Sequence, residues 1–123
     1  MARLSMGRAA ARTILVCVVL AAPGIVNVPH ASAGEVTGLV TDVLVRDSDG
    51  LVYVHVAGTA TNRPACAATT SYWMIPNENS EAGKKLYALL LAAKVSGMRV
   101  QVIGKNTCLR WGDGEDILYV NMH

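Results

Sequence analysis

The feature that most constrains the fold of this chain is one segment of helical period set among strand-like segments. Apolar residues recur there at the i, i+3, i+4, i+7 spacing of one helix face: Leu86, Leu89, Leu90 and Ala93. Ser80 offers an N-cap oxygen, Glu81 supplies the negative charge that a helix N-terminus favours, and Gly97 is typical of a C-cap. The pattern predicts a helix over about residues 80–96.

Five segments around this helix have the β-branched content and two-residue alternation of strands. They cover residues 36–46, 51–57, 72–75, 98–103 and 117–122. The turn at residues 47–50 joins the first two as a hairpin, and Gly38 is the predicted bend in the first strand. In the second strand Val52, Val54 and Val56 share one face, which we expect to enter the core.

The resulting order is β-β-β-α-β-β, which predicts an all-β fold with one helix. This is the element order of the OB-fold, a small five-stranded Greek-key barrel whose helix closes one end. A two-layer α+β sandwich built from the same elements is the alternative.

Residues 1–33 have the layout of a secretory signal peptide: a cationic start, an apolar run at 14–22, and Ala31-Ser-Ala33. Cleavage after Ala33 leaves one domain, residues 34–123, in an exported protein that is periplasmic or secreted. The apolar run has about half the roughly 20 residues that a membrane-spanning helix needs. We therefore expect no membrane span after the leader is removed.

Two cysteines, Cys66 and Cys108, follow the leader. An even pair in an exported chain predicts one disulfide. The competing interpretation is a metal or redox site, but neither cysteine lies in a C-x-x-C motif, and neither has a histidine within four residues. Closing a loop of this length stabilises a domain by about 4 kcal/mol in the chain-entropy model.

Charge and motifs exclude several functions. From Gly34 onward the chain has eight Lys or Arg and nine Asp or Glu, a net charge of −1, so we expect no nucleic-acid partner. The sequence contains no nucleotide-binding glycine motif, no H-E-x-x-H and no G-x-S-x-G. We therefore expect that the protein is not an enzyme and binds no cofactor. We expect His55 to face solvent or a neighbouring strand.

The residues most suited to binding cluster after the fourth predicted strand. Residues 110–116 place an arginine, a tryptophan and three carboxylates around two glycines, and such a set can hold a sugar or a peptide. The candidate ligand-binding residues are Trp111, Arg110, Asp113, Glu115, Asp116 and Trp73. The other interpretation is a wide turn whose tryptophan covers the end of the barrel. A calcium loop is not predicted. Counting from Asp47, the sixth and twelfth positions are Val52 and Gly58, where such a loop needs a glycine and a glutamate.

In layout the chain resembles the B subunits of AB5 toxins of the subtilase-cytotoxin and typhoid-toxin type. The resemblance lies in the five strands, the helix before the fourth, the leader, and a cysteine just ahead of the third strand. Local segments also look like those of small exported bacterial proteins of unassigned function: Arg63-Pro-Ala-Cys66, Tyr72-Trp-Met-Ile75, Glu78-Asn-Ser80 and Arg110-Trp-Gly-Asp-Gly-Glu-Asp-Ile117.

The resemblance implies a ring-forming homo-oligomer that binds a glycan. The first hypothesis is therefore a non-enzymatic, exported binding or assembly module whose ligand is a glycan or a protein. The alternative is a monomeric periplasmic protein of envelope or stress function, which binds a small ligand or a cation through its acidic turns.

Overall fold

The computed structural model describes residues 32–123, a short lead-in followed by a closed five-stranded barrel with one helix. The elements are β1 Glu35–Val45, β2 Val52–Val56, β3 Tyr72–Met74, α1 Glu81–Ser96, β4 Arg99–Gly104 and β5 Glu115–Met122, with a short 3-10 helix, Ala65–Ala67, before β3. Their order and the closure of the five strands into a barrel confirm the predicted OB-fold-like arrangement rather than the two-layer sandwich. The predicted signal peptide lies outside the described residues, except for its last two.

Strand pairing closes the barrel in the order β1-β2-β3-β5-β4. β1 is long enough to pair with β4 through its first half and with β2 through its second half, and both pairings are antiparallel. The only parallel contact among the described strands joins β3 to β5, where Trp73 lies opposite Glu115 and Met74 opposite Asp116. This short parallel contact brings the start of β5 beside β3.

The barrel interior is filled mainly by valines. Val54, Val100 and Val102 have no exposed surface, and the predicted inward face of β2 is confirmed. The helix contributes Leu90 and Ala93, which are fully buried against this core. Burying a valine or leucine side chain stabilises a fold by about 1.5–3 kcal/mol.

The helix begins and ends where the sequence predicts. The Ser80 hydroxyl accepts a hydrogen bond from Gly83 N at 3.0 Å, and Gly97 closes the helix with φ of 67°. Within residues 32–123 no helix is long and apolar enough to cross a membrane.

Two strand details differ from expectation. The irregularity in β1 lies between Val40 and Asp42 rather than at Gly38. Gly38 instead permits a close approach, because a Cβ there would lie 1.6 Å from the Ala57 carbonyl oxygen. β5 starts two residues earlier than predicted, at Glu115, since the parallel contact with β3 recruits the two acidic residues into the strand.

Candidate functional site

Four rings form an aromatic face on the outside of β2 and β3: Tyr53, His55, Tyr72 and Trp111. Because the valines of β2 point inward, Tyr53 and His55 must point outward. Tyr72 of β3 lies opposite His55, and its ring centroid is 5.0 Å from that of Tyr53 and 6.0 Å from that of His55. The β-sheet therefore presents three rings in contact.

The loop between β4 and β5, residues 105–114, folds back over β3 and brings Trp111 to this face. Gly114 N donates to the Trp111 carbonyl at 3.1 Å, which closes the turn. Gly114 sits directly on Met74 and Tyr72: a Cβ at this position would lie 2.6 Å from a carbon atom of each. Only glycine fits here without displacement of the loop or of the strand residues beneath it.

A hydrogen bond also ties this loop to the aromatic face. The Tyr72 hydroxyl donates to the Asp113 carboxylate, and the Thr70 hydroxyl donates to the Asp113 carbonyl. Burial, together with the hydrogen bond to Asp113, raises the pKa of Tyr72 to about 12. Tyr72 is thus a neutral donor throughout the physiological pH range.

Arg46, at the end of β1, forms the other wall of the site. Its guanidinium lies 4.3 Å from the centroid of the Trp111 ring, a cation–π geometry. The same guanidinium donates two hydrogen bonds to Asp49, at 2.8 and 2.7 Å, and these hold the pKa of the Asp49 carboxyl far below its ordinary value. Between these walls lies an open recess of about 220 Å³, which is lined by Arg46, Leu51, Tyr53, Tyr72 and Trp111.

Arg110 connects the same loop to the segment before the helix. Its Nε lies 3.0 and 3.1 Å from the two carboxylate oxygens of Glu78. Glu78 also accepts from Val52 N at 2.8 Å, while Arg110 approaches Asp49 at 3.5 Å. One carboxylate therefore links the start of β2 to the loop that carries Trp111.

Asp116 holds the loop from beneath. Its buried carboxylate accepts hydrogen bonds from Thr107 Oγ1 at 2.8 Å, Leu109 N at 2.7 Å and Arg110 N at 3.2 Å. The disulfide between Cys66 and Cys108, with an S–S distance of 2.12 Å, confirms the predicted pairing and joins the 3-10 segment to the same stretch of loop. The base of the loop is thus fixed covalently and by three donors.

Glu115 and Trp73 lie inside the barrel wall, away from the aromatic face. Glu115 is fully buried, and Arg63 Nε lies 3.5 Å from its Oε2. Arg63 also donates to the carbonyls of Thr70 and Tyr72 and stacks 4.6 Å from the Trp73 ring. Desolvation lowers the pKa of Arg63, against the opposing effect of Glu115.

The six predicted ligand-binding residues therefore separate into two groups. Trp111, Arg110 and Asp113 lie on the surface together, whereas Trp73, Glu115 and Asp116 are at most 1% exposed and contact other parts of the chain. The residues that sequence reasoning missed are Arg46, Tyr53, Tyr72, Asp49 and Glu78. The outward position of Tyr53 follows from the valine alternation, but the fold-back of residues 105–114 has no sequence signal that identifies its target.

His55 has one side-chain hydrogen-bond partner within the described residues. His55 Nδ1 lies 3.2 Å from Ser71 Oγ, and within residues 32–123 no carboxylate hydrogen-bonds this imidazole. No group of three or more metal-ligating side chains occurs in the same range. The chain matches no protein-family model, no curated protein and no solved structure.

Proposed function

We propose that this chain is an exported, non-enzymatic binding module that holds a carbohydrate against its aromatic face. The observation that carries the proposal is the Trp111 indole, which is 44% exposed beside the Tyr53 and Tyr72 rings. Single exposed apolar side chains are common, but a contiguous exposed group of them marks an interaction site, and here three rings line one recess.

The chemistry around the rings suits a sugar. The apolar face of a pyranose stacks on an indole or a phenol, and its hydroxyls need donors and acceptors at the rim. Arg46, Asp49, Arg110 and Asp113 supply both kinds of group around the recess. In OB-folds the outer face of the second and third strands, with the loops that flank it, is where oligosaccharides and oligonucleotides bind.

Charge favours the carbohydrate over a nucleic acid. Each cation of the site is already paired, Arg46 with Asp49 and Arg110 with Glu78. A polyanion would have to displace these carboxylates, in a body whose net charge from Gly34 onward is −1. A neutral, hydroxyl-rich ligand meets no such opposition.

Cation binding by the acidic turns has less support. Asp49 bonds to Arg46, Asp113 bonds to Tyr72, and Asp116 faces the interior of its own loop. A divalent ion needs several oxygens converging on one point, whereas these carboxylates diverge toward separate partners.

The direct test is a glycan array followed by titration calorimetry on the best hit. We expect Trp111→Ala to weaken binding by at least about tenfold, which corresponds to about 1.4 kcal/mol of lost contact. Tyr119→Ala is the matched control, because Tyr119 is an aromatic residue of β5 with a similar exposure of 48% that takes no part in the aromatic face. Equal weakening by both variants, or an array without hits, would contradict the proposal and direct the search to protein ligands.

The proposal includes a ring of several copies, as the layout resemblance to toxin B subunits implies. A single glycan site of this size binds weakly, and linking several sites raises the apparent affinity by about 10²–10⁴. Light scattering of the exported protein tests this part. A discrete multiple of the chain mass supports the ring, and a monomer would remove it while leaving the single site to be tested as above.

A further inference from the structure

Glu115 holds the beginning of the barrel as well as its wall. Its Oε1 accepts hydrogen bonds from Gly34 N at 2.9 Å and from Asn106 N at 3.1 Å. The carboxylate fills the space between two glycines: a Cβ on Gly34 would lie 2.1 Å from Oε2, and one on Gly104 would lie 1.9 Å from Oε1. The chain before β1 is therefore packed directly onto a buried negative charge.

The other oxygen of this carboxylate is incompletely bonded. Glu115 Oε2 is buried and accepts no hydrogen bond from the described residues, and Arg63 Nε, 3.5 Å away, donates none. Buried polar atoms in folded proteins nearly always have a partner, because an unsatisfied one is destabilising. Glu115 Oε2 can therefore accept one more hydrogen bond, from a donor on the side where the Gly34 amide approaches.

Gly34 is also where the described chain joins the fold. Its carbonyl accepts from Gly104 N at 2.8 Å, and the next residue, Glu35, exchanges hydrogen bonds with Thr61 at 2.9 and 3.0 Å. Ser32 is exposed and Ala33 partly exposed, whereas Gly34 is buried. The sequence predicts signal-peptide cleavage between the last two of these residues.

We propose that cleavage of the Ala33–Gly34 bond creates an α-ammonium group that binds the buried Glu115 carboxylate and completes the barrel. The reaction is a hydrolysis by a host signal peptidase: water supplies the hydroxyl that makes Ala33 a carboxylic acid, and the Gly34 nitrogen leaves as an amine that is protonated to an ammonium. One N–H donor becomes three. One donor keeps the bond to Oε1, a second can serve Oε2, and the third faces the space that Ala33 vacates.

The charges around the new group set its titration. Glu115 faces it and favours the ammonium form, Arg63 on the far side of the carboxylate opposes it, and Asn106 is neutral. Burial of Gly34 also opposes the ammonium form, as desolvation does for Arg63. The attraction dominates at Gly34 because its nitrogen hydrogen-bonds the carboxylate at 2.9 Å, whereas Arg63 Nε lies 3.5 Å away and donates no hydrogen bond to it. The pKa of the Gly34 amino group in the folded protein should therefore exceed its ordinary value of about 7.7–8.0. The stabilisation is fully present below that ordinary value and is lost as pH rises through the raised one.

The test uses the full chain, expressed in a bacterium and recovered from the exported fraction. Mass spectrometry should give a product that begins at Gly34. The rate of acylation of its α-amine, followed against pH in the N-terminal peptide, should have a midpoint about one unit or more above that of the same protein unfolded in urea. The midpoint, unlike the absolute rate, does not respond to steric protection alone.

Glu115→Gln is the matched variant, because it keeps the shape of the side chain and removes the charge. We expect it to lower the α-amine midpoint to that of the unfolded chain or below it, because Arg63 and burial still oppose the ammonium, while the lysine midpoints stay constant. If this variant does not fold, the comparison of native with urea-unfolded wild-type protein decides the matter. A product that begins at another residue would overturn the proposal, as would a Gly34 amine with the same midpoint in the native and unfolded states.

Discussion

Replacement of Asp116 by asparagine tests whether the loop that carries Trp111 is held from beneath. The carboxylate is 1% exposed and accepts three hydrogen bonds, two at Oδ2 from Thr107 Oγ1 and Leu109 N, and one at Oδ1 from Arg110 N. An asparagine keeps the shape but offers only one acceptor oxygen. Its amide nitrogen must then face a donor.

The magnitude follows from the bonds that remain. The best orientation places the amide oxygen at the Oδ2 position and leaves the Arg110 N–H against an NH₂ group. An unsatisfied buried donor costs about 1–3 kcal/mol, and each of the two retained bonds weakens by about 0.5–1 kcal/mol when the acceptor loses its charge. The expected loss in the free energy of unfolding is about 2–5 kcal/mol, a large fraction of the stability of a small domain.

Urea unfolding followed by far-ultraviolet circular dichroism, with the disulfide intact, measures this loss. Thr107→Val is the graded control: it removes one of the three donors, keeps the side-chain shape, and should cost about 1–2 kcal/mol. A loss for Asp116→Asn no larger than that for Thr107→Val would refute the reasoning, because it would mean that an unsatisfied Arg110 N–H and two weakened hydrogen bonds together cost no more than the removal of one donor.

Three further changes have expected outcomes. Gly114→Ala should lower the free energy of unfolding by about 1–3 kcal/mol through overpacking and should weaken ligand binding. Gly112→Ala should change neither quantity, because a Cβ there meets nothing within 4 Å. Unfolding and titration experiments measure the two quantities. Stability should fall as pH rises from about 10 through about 12, because the raised pKa of Tyr72 favours the neutral phenol in the fold; ultraviolet titration should show one late phenolate that Tyr72→Phe removes. Joint replacement of Cys66 and Cys108 by alanine should cost about 4 kcal/mol, measured by thermal unfolding.

Most of the fold could be predicted because its signals are local. The 3.6-residue period and the cap residues identify the helix, and the alternating valines identify β2. The start of β5 could not be predicted in the same way. Glu115, Asp116 and Ile117 are all buried in succession, which breaks the two-residue alternation that identifies a half-buried strand. The loop over β3 and the barrel wall cover both faces of the strand there, and neither contact is visible in a local window.

Only half of the candidate site could be predicted from the sequence, for the same reason. An acidic segment in a sequence is ordinarily interpreted as a solvated turn, and this expectation suits Asp113, whose carboxylate lies at the surface. The two acids that follow it are buried: Asp116 accepts from donors in its own loop, whereas Glu115 accepts from Gly34 N, 81 residues away. The spacing of residues does not reveal a partner so far along the chain. The density of acidic residues therefore does not predict which of them are exposed.

The buried acidic residues fix the loop under Trp111, and this affects how the aromatic face would bind a ligand. Free loops lose conformational freedom when they bind, which costs about 0.5–1.5 kcal/mol for each immobilised side chain. Here the loop below Trp111 is already fixed by the disulfide and by Asp116, and the indole itself is stacked on Arg46. Most of that ordering is therefore complete before any ligand arrives. Under the proposed function, a ring surface held in this way would bind a hydroxyl-rich ligand with less further loss of entropy than a mobile tryptophan on an unrestrained turn.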